Sequence, residues 1–208
     1  TRPDEVVLTS GATEADNAAI IGLAQAAAHV RRLGGAGGAQ PHVVVSAIEH
    51  DAVLAPAKRL EQMGFSVTRV QPDRNGFITV AALEQVMRPE TVLVSVMAAN
   101  SEVGSVQPVA ELARTAHAAG ALFHTDATQA LGKVPVNVVD WGCDAASFSA
   151  HKVGGPKGVG ALYVKSRTPF DAFMLGGGQE AGRRSGTQNV CGAAGFAAAI
   201  QVVQEKQA

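Results

Sequence analysis

Two cysteines in 208 residues cannot staple a domain of this size, so disulfides are excluded as the framework and a reducing cytoplasm is the default setting. The formal net charge is only -1, which offers no field for nucleic acid or for an acidic membrane surface. No uninterrupted apolar run is long enough to span a bilayer. There is no internal repeat and no interdomain linker. Aromatic residues are scarce, at 4%, while hydrophobic residues reach 47%. That balance suits an α/β domain rich in Ala, Val and Gly, with length enough to bury a sizeable core.

Short apolar runs alternate with helical ones along the chain. Strands are expected at Val6–Thr9, Val43–Ser46, Ser66–Val70, Val92–Met97 and Leu122–Thr125. Helices are expected through Leu33, from about Ala52 to Met63, over Ala81–Met87 and near Val109–Ala119, with a turn at Asp73-Arg-Asn-Gly76. This repetition predicts a mostly parallel sheet with helices on both faces. The spacing of Val53, Leu54, Ala57, Leu60 and Met63 marks one buried helix face. Gly34-Gly-Ala-Gly-Gly38 reads as a loop from helix to strand and not as a dinucleotide fingerprint, which needs strand before glycine and helix after.

Four places carry chemistry. In Ser147-Phe-Ser-Ala-His-Lys152-Val-Gly-Gly-Pro-Lys-Gly, an apolar strand breaks into polar residues and then glycine, a layout that suits an amine forming a Schiff base. It also reads as a surface lysine in a Gly-Pro turn. Leu122-Phe-His-Thr-Asp126-Ala-Thr-Gln129 ends a strand in a carboxylate. Ligands gather beyond the carboxyl ends of parallel strands, so Asp126 and Lys152 are expected to face one crevice. An aspartate on a pyridinium nitrogen is what a pyridoxal phosphate (PLP) site requires, and Gln129 suits the ring's phenolic oxygen. The alternative for Asp126 is a helix N-cap. Val6-Val-Leu-Thr-Ser-Gly11-Ala12-Thr13-Glu14 turns from strand into helix and offers free N–H groups and a hydroxyl to a phosphate, or is an ordinary capped helix start. His50 ends the run Val43-Val-Val-Ser-Ala-Ile-Glu-His50, where an imidazole stacks on a ring and exchanges protons, or is structural.

Taken together, the runs TSGATEADN, SAIEH, NSEVG, HTDATQALGK, SFSAHKVGGPKG and GGGQEAGRRSGTQN resemble the cysteine desulfurases of the NifS/IscS type, in class V of the PLP-dependent aminotransferase superfamily. The resemblance runs in order from about residue 6 to about residue 190. It implies the large domain of a fold-type I PLP transferase. Lys152 would be the Schiff-base lysine, Asp126 the partner of the pyridine nitrogen, Gln129 that of the ring hydroxyl, and His50 the ring-stacking imidazole. Ala12, Thr13, Ser149 and His151 would hold the phosphate. Asn100 would read cofactor and substrate carboxylate, and Thr187 would reach the phosphate of a neighbouring subunit. Ser101, Ala150 and Gln179 depart from the usual Asn, Gly and His.

The implied activity converts L-cysteine to L-alanine and passes sulfur to an enzyme cysteine for iron–sulfur or thio-cofactor assembly, in a cytoplasmic homodimer that serves a sulfur acceptor or scaffold protein. Selenocysteine lyase and other class V members are the near alternatives. The resemblance further implies that residues 1–208 are one PLP-binding large domain truncated at both ends, without the small C-terminal domain, the sulfur-accepting loop cysteine or the arginine for substrate. Such a piece would itself be inactive. Cys143 and Cys191 read as small packing residues. From another class, His50, His124, Asp126 and His151 are candidate ligands of a hydrolytic metal, a scheme that leaves Lys152, Gln129 and Thr13 without a role. A non-catalytic PLP-binding fragment is the third reading.

Overall fold

The computed structural model of the chain describes residues 1–35 and 38–207. The seven strands are β1 (Val6–Thr9), β2 (His42–Ser46), β3 (Ser66–Val70), β4 (Thr91–Ser95), β5 (Leu122–Asp126), β6 (Ala145–Ser149) and β7 (Gly160–Val164). The helices are α1 (Ala12–Leu33), α2 (Asp51–Gln62), α3 (Val80–Val86), α4 (Val109–Ala118) and α5 (Val190–Gln207). The expected strands and helices through Thr125 are all present, within a residue or two at most ends. Of the expected glycine loop, Ala36 and Gly37 lie outside the described residues, as does Ala208 at the chain's end.

The strands form one sheet in the order β1-β7-β6-β5-β4-β2-β3. β3, β2, β4, β5 and β6 are mutually parallel, while β7 runs antiparallel between β6 and β1. Alternation along each strand sends side chains to opposite faces. Val43, Val45 and Leu93 join α1 and α2 in one core, whereas Val44, Val94 and Phe123 join α3 and α4 in another. α5 packs over the second face at Ala161 through Phe196. Helices therefore cover both faces, and the wholly buried β2 and β4 read as continuous Val-rich runs for that reason.

Local sequence explains how α1 and α2 are held. Gly22 sits mid-helix where a Cβ would lie 2.4 Å from the Asp171 carbonyl, so only glycine admits the passing chain. At the other end Arg31 donates to the carbonyls of Pro89, Thr91 and Gly120 and pins the helix to the amino ends of β4 and β5. Pro56 lies inside α2 and lacks the N–H that would serve the Ala52 carbonyl. Asn17 of α1 donates to that oxygen at 3.5 Å. On the predicted face of α2, Val53, Ala57 and Leu60 are fully buried, while Met63 is exposed. Because β7 is antiparallel, its first residue, Gly160, reaches the edge where β1, β2, β4, β5 and β6 end. It pairs with Thr9 on one side and Ser149 on the other.

Candidate active site

A cavity of about 620 Å³ opens at that edge. α1 begins there. Its N-cap is Gly11, at φ +151°, and no side chain caps the first turn, so the leading N–H groups at Ala12 and Thr13 are free. Glu14 does not occupy them: it accepts from the Ser10 N–H at 2.8 Å and from Arg184 at 2.7 Å. Burial pushes its carboxyl up, and these hydrogen bonds more than offset that, holding it below the usual range.

Most of the expected site residues converge here. Ala12, Thr13, His50, Asp126, Gln129, Ser149, His151 and Lys152 all line the cavity. Asp126 and Lys152 meet because β5 and β6 are adjacent and parallel, so Asp126 stands level with Ser147 just before the 3-10 turn Ala150–Val153 that carries Lys152. Asp126 is buried and its Oδ1 accepts from the Thr128 N–H at 2.9 Å. Burial raises its carboxyl above the usual range, while Thr128 and the charges of His50 and Lys152 pull it back. Ser149 Oγ and His151 Nδ1 are 2.8 Å apart. The carbonyl oxygen of Gln129 is taken by Lys133, which leaves its NH2 as the available donor. His50 is exposed to the cavity and also caps α2, its Nδ1 accepting from the Ala52 N–H at 3.0 Å.

One expected site residue is set back from the cavity, and one expectation needs correction. Asn100 does not line the cavity: its Nδ2 donates to the Ile48 carbonyl at 2.8 Å, and its Oδ1 accepts from the N–H groups of Glu102 and Val103. The amide thereby shapes the loop between β4 and α4, with Nδ2 also 3.3 Å from the sulfur of Met97, which lines the cavity. Cys191 is not a packing residue but lies exposed on the first turn of α5; Cys143 is buried, and burial pushes its thiol up to about 12. Thr187 is exposed and borders a separate small cleft that shares Ser10 and Gly158 with the main cavity.

The metal reading loses its central ligand. His124 is fully buried, with Nδ1 2.9 Å from Ser95 Oγ and Nε2 2.9 Å from Ser147 Oγ. Among the described residues no group of three or more His, Cys, Asp and Glu side chains is placed to hold a metal ion. Nor is any helix of the described residues long and apolar enough to cross a membrane.

Residues that sequence reasoning passed over also sit here. Asp16, Met97, Thr128 and Lys157 line the cavity. Asp16 falls on the spacing Asp16, Ile20, Leu23, Ala27, all buried. A carboxylate within that apolar stripe was the available signal. Glu49 is buried between the ends of β2 and β4, its Oε1 accepting from Ser46 Oγ at 2.5 Å and from the Met97 N–H at 2.6 Å. Burial pushes its carboxyl up to about 8.

A family model described as aminotransferase class-V matches residues 1–208. The chain belongs to the class V aminotransferase family. It is 48% identical over 202 residues to a protein named cysteine desulfurase IscS from Anaeromyxobacter dehalogenans, covering 96% of this chain and 48% of that one. A solved structure named NIFS-like protein superposes with a TM-score of 0.89 at 39% identity, covering 99% of this chain and 55% of that chain. Another, described as SspA in complex with cysteine, superposes with a TM-score of 0.87 at 38% identity, covering 97% and 56%. The chain spans about half the length of the curated relatives it matches. The mostly parallel sheet is thus that of the NifS-like class V structures, as the sequence resemblance implied.

Proposed function

We propose that this chain is the cofactor-holding half of a PLP-dependent cysteine desulfurase. The observation that carries the reading is the convergence of Lys152, Asp126, Gln129, His50 and the uncapped start of α1 on one cavity, in a class V chain whose relatives bear that name. The residues present fit the cofactor. Free N–H groups at Ala12 and Thr13, the Thr13 hydroxyl, Ser149 and His151 form an anion site at a helix N-terminus. A Cβ at Gly160 would strike the Gly11 backbone at 2.7 Å, so glycine at 160 lets the start of α1 lie close to the sheet.

When bound, PLP supplies an electron sink for the pair released at the substrate's α-carbon. The protein supplies the rest. Lys152 would hold the cofactor through its amine, and the same amine would be available to take up and return protons once L-cysteine is bound. Asp126 would hold a proton on the ring nitrogen, Gln129 would donate through its free NH2 to the ring hydroxyl, and His50 would lie against the ring and move protons at the substrate. A cysteine thiolate would take the sulfur while the C–S pair passes to the substrate's β-carbon, which gains a proton, so that L-alanine and a persulfide result. Neither Cys143 nor Cys191 lines the cavity, so that thiolate is another cysteine. The reading extends to a cytoplasmic homodimer in which Thr187 reaches the partner's phosphate site, and to a sulfur-acceptor or iron–sulfur scaffold protein as partner.

The test is the visible absorption of the purified chain with PLP, before and after borohydride, alongside Lys152→Ala. A visible band that borohydride fixes to Lys152 and the variant lacks supports the reading. A folded chain without the band overturns it. Alanine release from L-cysteine against L-selenocysteine by the full-length protein then separates desulfurase from selenocysteine lyase.

A further inference from the structure

Asp16 begins the second turn of α1, and its side chain forms part of the cavity floor beside Asp126. It has no solvent exposure, and neither carboxyl oxygen has a hydrogen-bond partner among the described residues. An ionised carboxylate in that setting has lost water and gained no donor, which disfavours the charge strongly. A second carboxylate beside it disfavours it further.

The groups around Asp16 divide into two sets. On α1 itself, Glu14 is committed to Arg184. From β5 come Asp126 and His124, from β6 Ser147, and from the segment after β2 Glu49 and His50; Lys152 follows β6. Among the described residues the one ion-pair candidate for Asp16 is His124, whose Nε2 is 3.7 Å from Asp16 Oδ1. Both ring nitrogens of His124 are engaged by serine hydroxyls, and burial pushes the imidazole down to about 3, so it stays neutral. The Ser147 hydroxyl, within hydrogen-bonding distance of His124 Nε2, also faces Asp16 and lowers its carboxyl in part, but burial outweighs it. His50 and Lys152 line the cavity, and their charges favour an ionised Asp126. Asp126 also accepts the Thr128 N–H, whereas among the described residues no donor lies within ordinary hydrogen-bonding geometry of either Asp16 oxygen. Burial, then the neighbouring Asp126, push the Asp16 carboxyl well above the ordinary range.

We propose that Asp16 is a positioning residue that keeps one proton on the cavity floor as a neutral acid, so that Asp126 is the single anion presented to a cationic ring nitrogen. The proposal rests on the reading of Asp126 as the partner of that nitrogen. A buried neutral acid beside an anion is how two close carboxyl groups take different roles. It also gives a reason for the Ser95–His124–Ser147 chain: a neutral imidazole between two hydroxyls fills the space below Asp16 without supplying a charge that would ionise it. With one proton between them, an ionised Asp16 would mean a neutral Asp126 and a floor that no longer holds a protonated ring nitrogen.

The experiment is carbon-13 NMR of the protein labelled at aspartate carboxyl carbons, freed of PLP and titrated from about pH 4 to about pH 9. The pair is assigned with Asp16→Asn and Asp126→Asn. The expected result is one aspartate still protonated at neutral pH, its signal absent from Asp16→Asn and present in Asp126→Asn. The proposal is overturned if no aspartate holds a proton at neutral pH in the wild type, an outcome that needs no variant to fold. It is equally overturned if the signal that disappears belongs to Asp126. A second readout is PLP affinity: Asp16→Asn, a neutral isostere, is expected within about threefold of wild type, and Asp16→Ala at least about tenfold weaker. Equal affinity in the two variants counts against a positioning role. Unchanged PLP binding in Asp126→Asn would sink the cofactor reading, while the carbon-13 titration still decides the state of Asp16.

Discussion

Glu49→Gln is the substitution whose effect the structure sets most tightly. The native carboxyl is raised by burial from an ordinary 4.5 to about 8. Below pH 4.5 native and unfolded chains both carry the proton. Between 4.5 and about 8 only the native chain does, so its stability falls as pH rises, by about 1.4 kcal/mol for each pH unit. Across the whole interval the loss is on the order of 5 kcal/mol, as an upper value for a fully buried group. Glutamine cannot ionise. Its oxygen can still accept from Ser46 and the Met97 N–H, and its NH2 takes the place of Oε2, which has no partner among the described residues. That exchange adds a fixed cost of about 1–3 kcal/mol that does not vary with pH. The quantity to follow is therefore the difference in unfolding free energy between variant and wild type, from urea titrations of PLP-free protein at steps from about pH 5 to about pH 8.5. His124, whose burial lowers it to about 3 from 6.5, makes both proteins less stable as pH falls below 6.5 and cancels in the difference. The variant is expected to gain on wild type steadily as pH rises. A difference that stays flat through neutral pH would refute the buried neutral Glu49.

Gly160→Ala sets a Cβ 2.5 Å from the Phe148 carbonyl and 2.7 Å from the Gly11 backbone. It is expected to weaken PLP by at least about tenfold in an equilibrium titration while costing about 1–3 kcal/mol in stability; an unchanged affinity would mean Gly11 does not shape the phosphate cradle. Phe123→Ala empties a fully buried site between α4 and the sheet. It is expected to lose about 3–5 kcal/mol in urea titration yet to bind PLP normally below its melting temperature, and a loss under about 1 kcal/mol would show that core collapsing freely. Arg184→Ala leaves Glu14 with only the Ser10 N–H. About 1 kcal/mol is expected to go, with faster proteolysis between Met174 and Asn189; unchanged cleavage would show that the pair does not hold that segment.

The strands were legible because burial on both faces leaves a continuous apolar run, as in Val43-Val-Val and Val92-Leu-Val, with little else it can be. The meeting of Lys152 and Asp126 was legible for a topological reason, since parallel strands deliver their carboxyl ends to one edge. β7 was harder. Gly160-Ala-Leu-Tyr-Val164 is apolar enough for a strand, but its antiparallel course depends on how the glycine-rich stretch after Lys152 turns back. Asn100 shows a different limit: its residue type says that an amide bonds something, and only the loop's backbone decides that the partners are Ile48, Glu102 and Val103. Cys191 stands at the start of a helix whose apolar sequence does not say which side meets the sheet.

Asp16 and Glu49 were illegible for a reason tied to function. Local rules place carboxylates in water, so a buried one is read as exposed unless its helix face or strand end is traced. The buried side-chain atoms without partners among the described residues belong to Asp16, Glu49, Thr125 and Thr128. Asp16, Glu49 and Thr128 gather around Asp126, at the edge where the cavity opens, while Thr125 turns to the other face of β5. Each unmet group of this kind costs about 1–3 kcal/mol, a cost that a fold selected for stability alone would remove by substituting apolar residues. Their concentration at one place is the pattern of a site held ready for a polar ligand at the expense of stability. A ligand that meets Asp126 and leaves the protons of Asp16 and Glu49 in place should stabilise the native chain by about 2.7 kcal/mol at a hundred times its Kd. That gain should shrink as pH rises and those protons are lost.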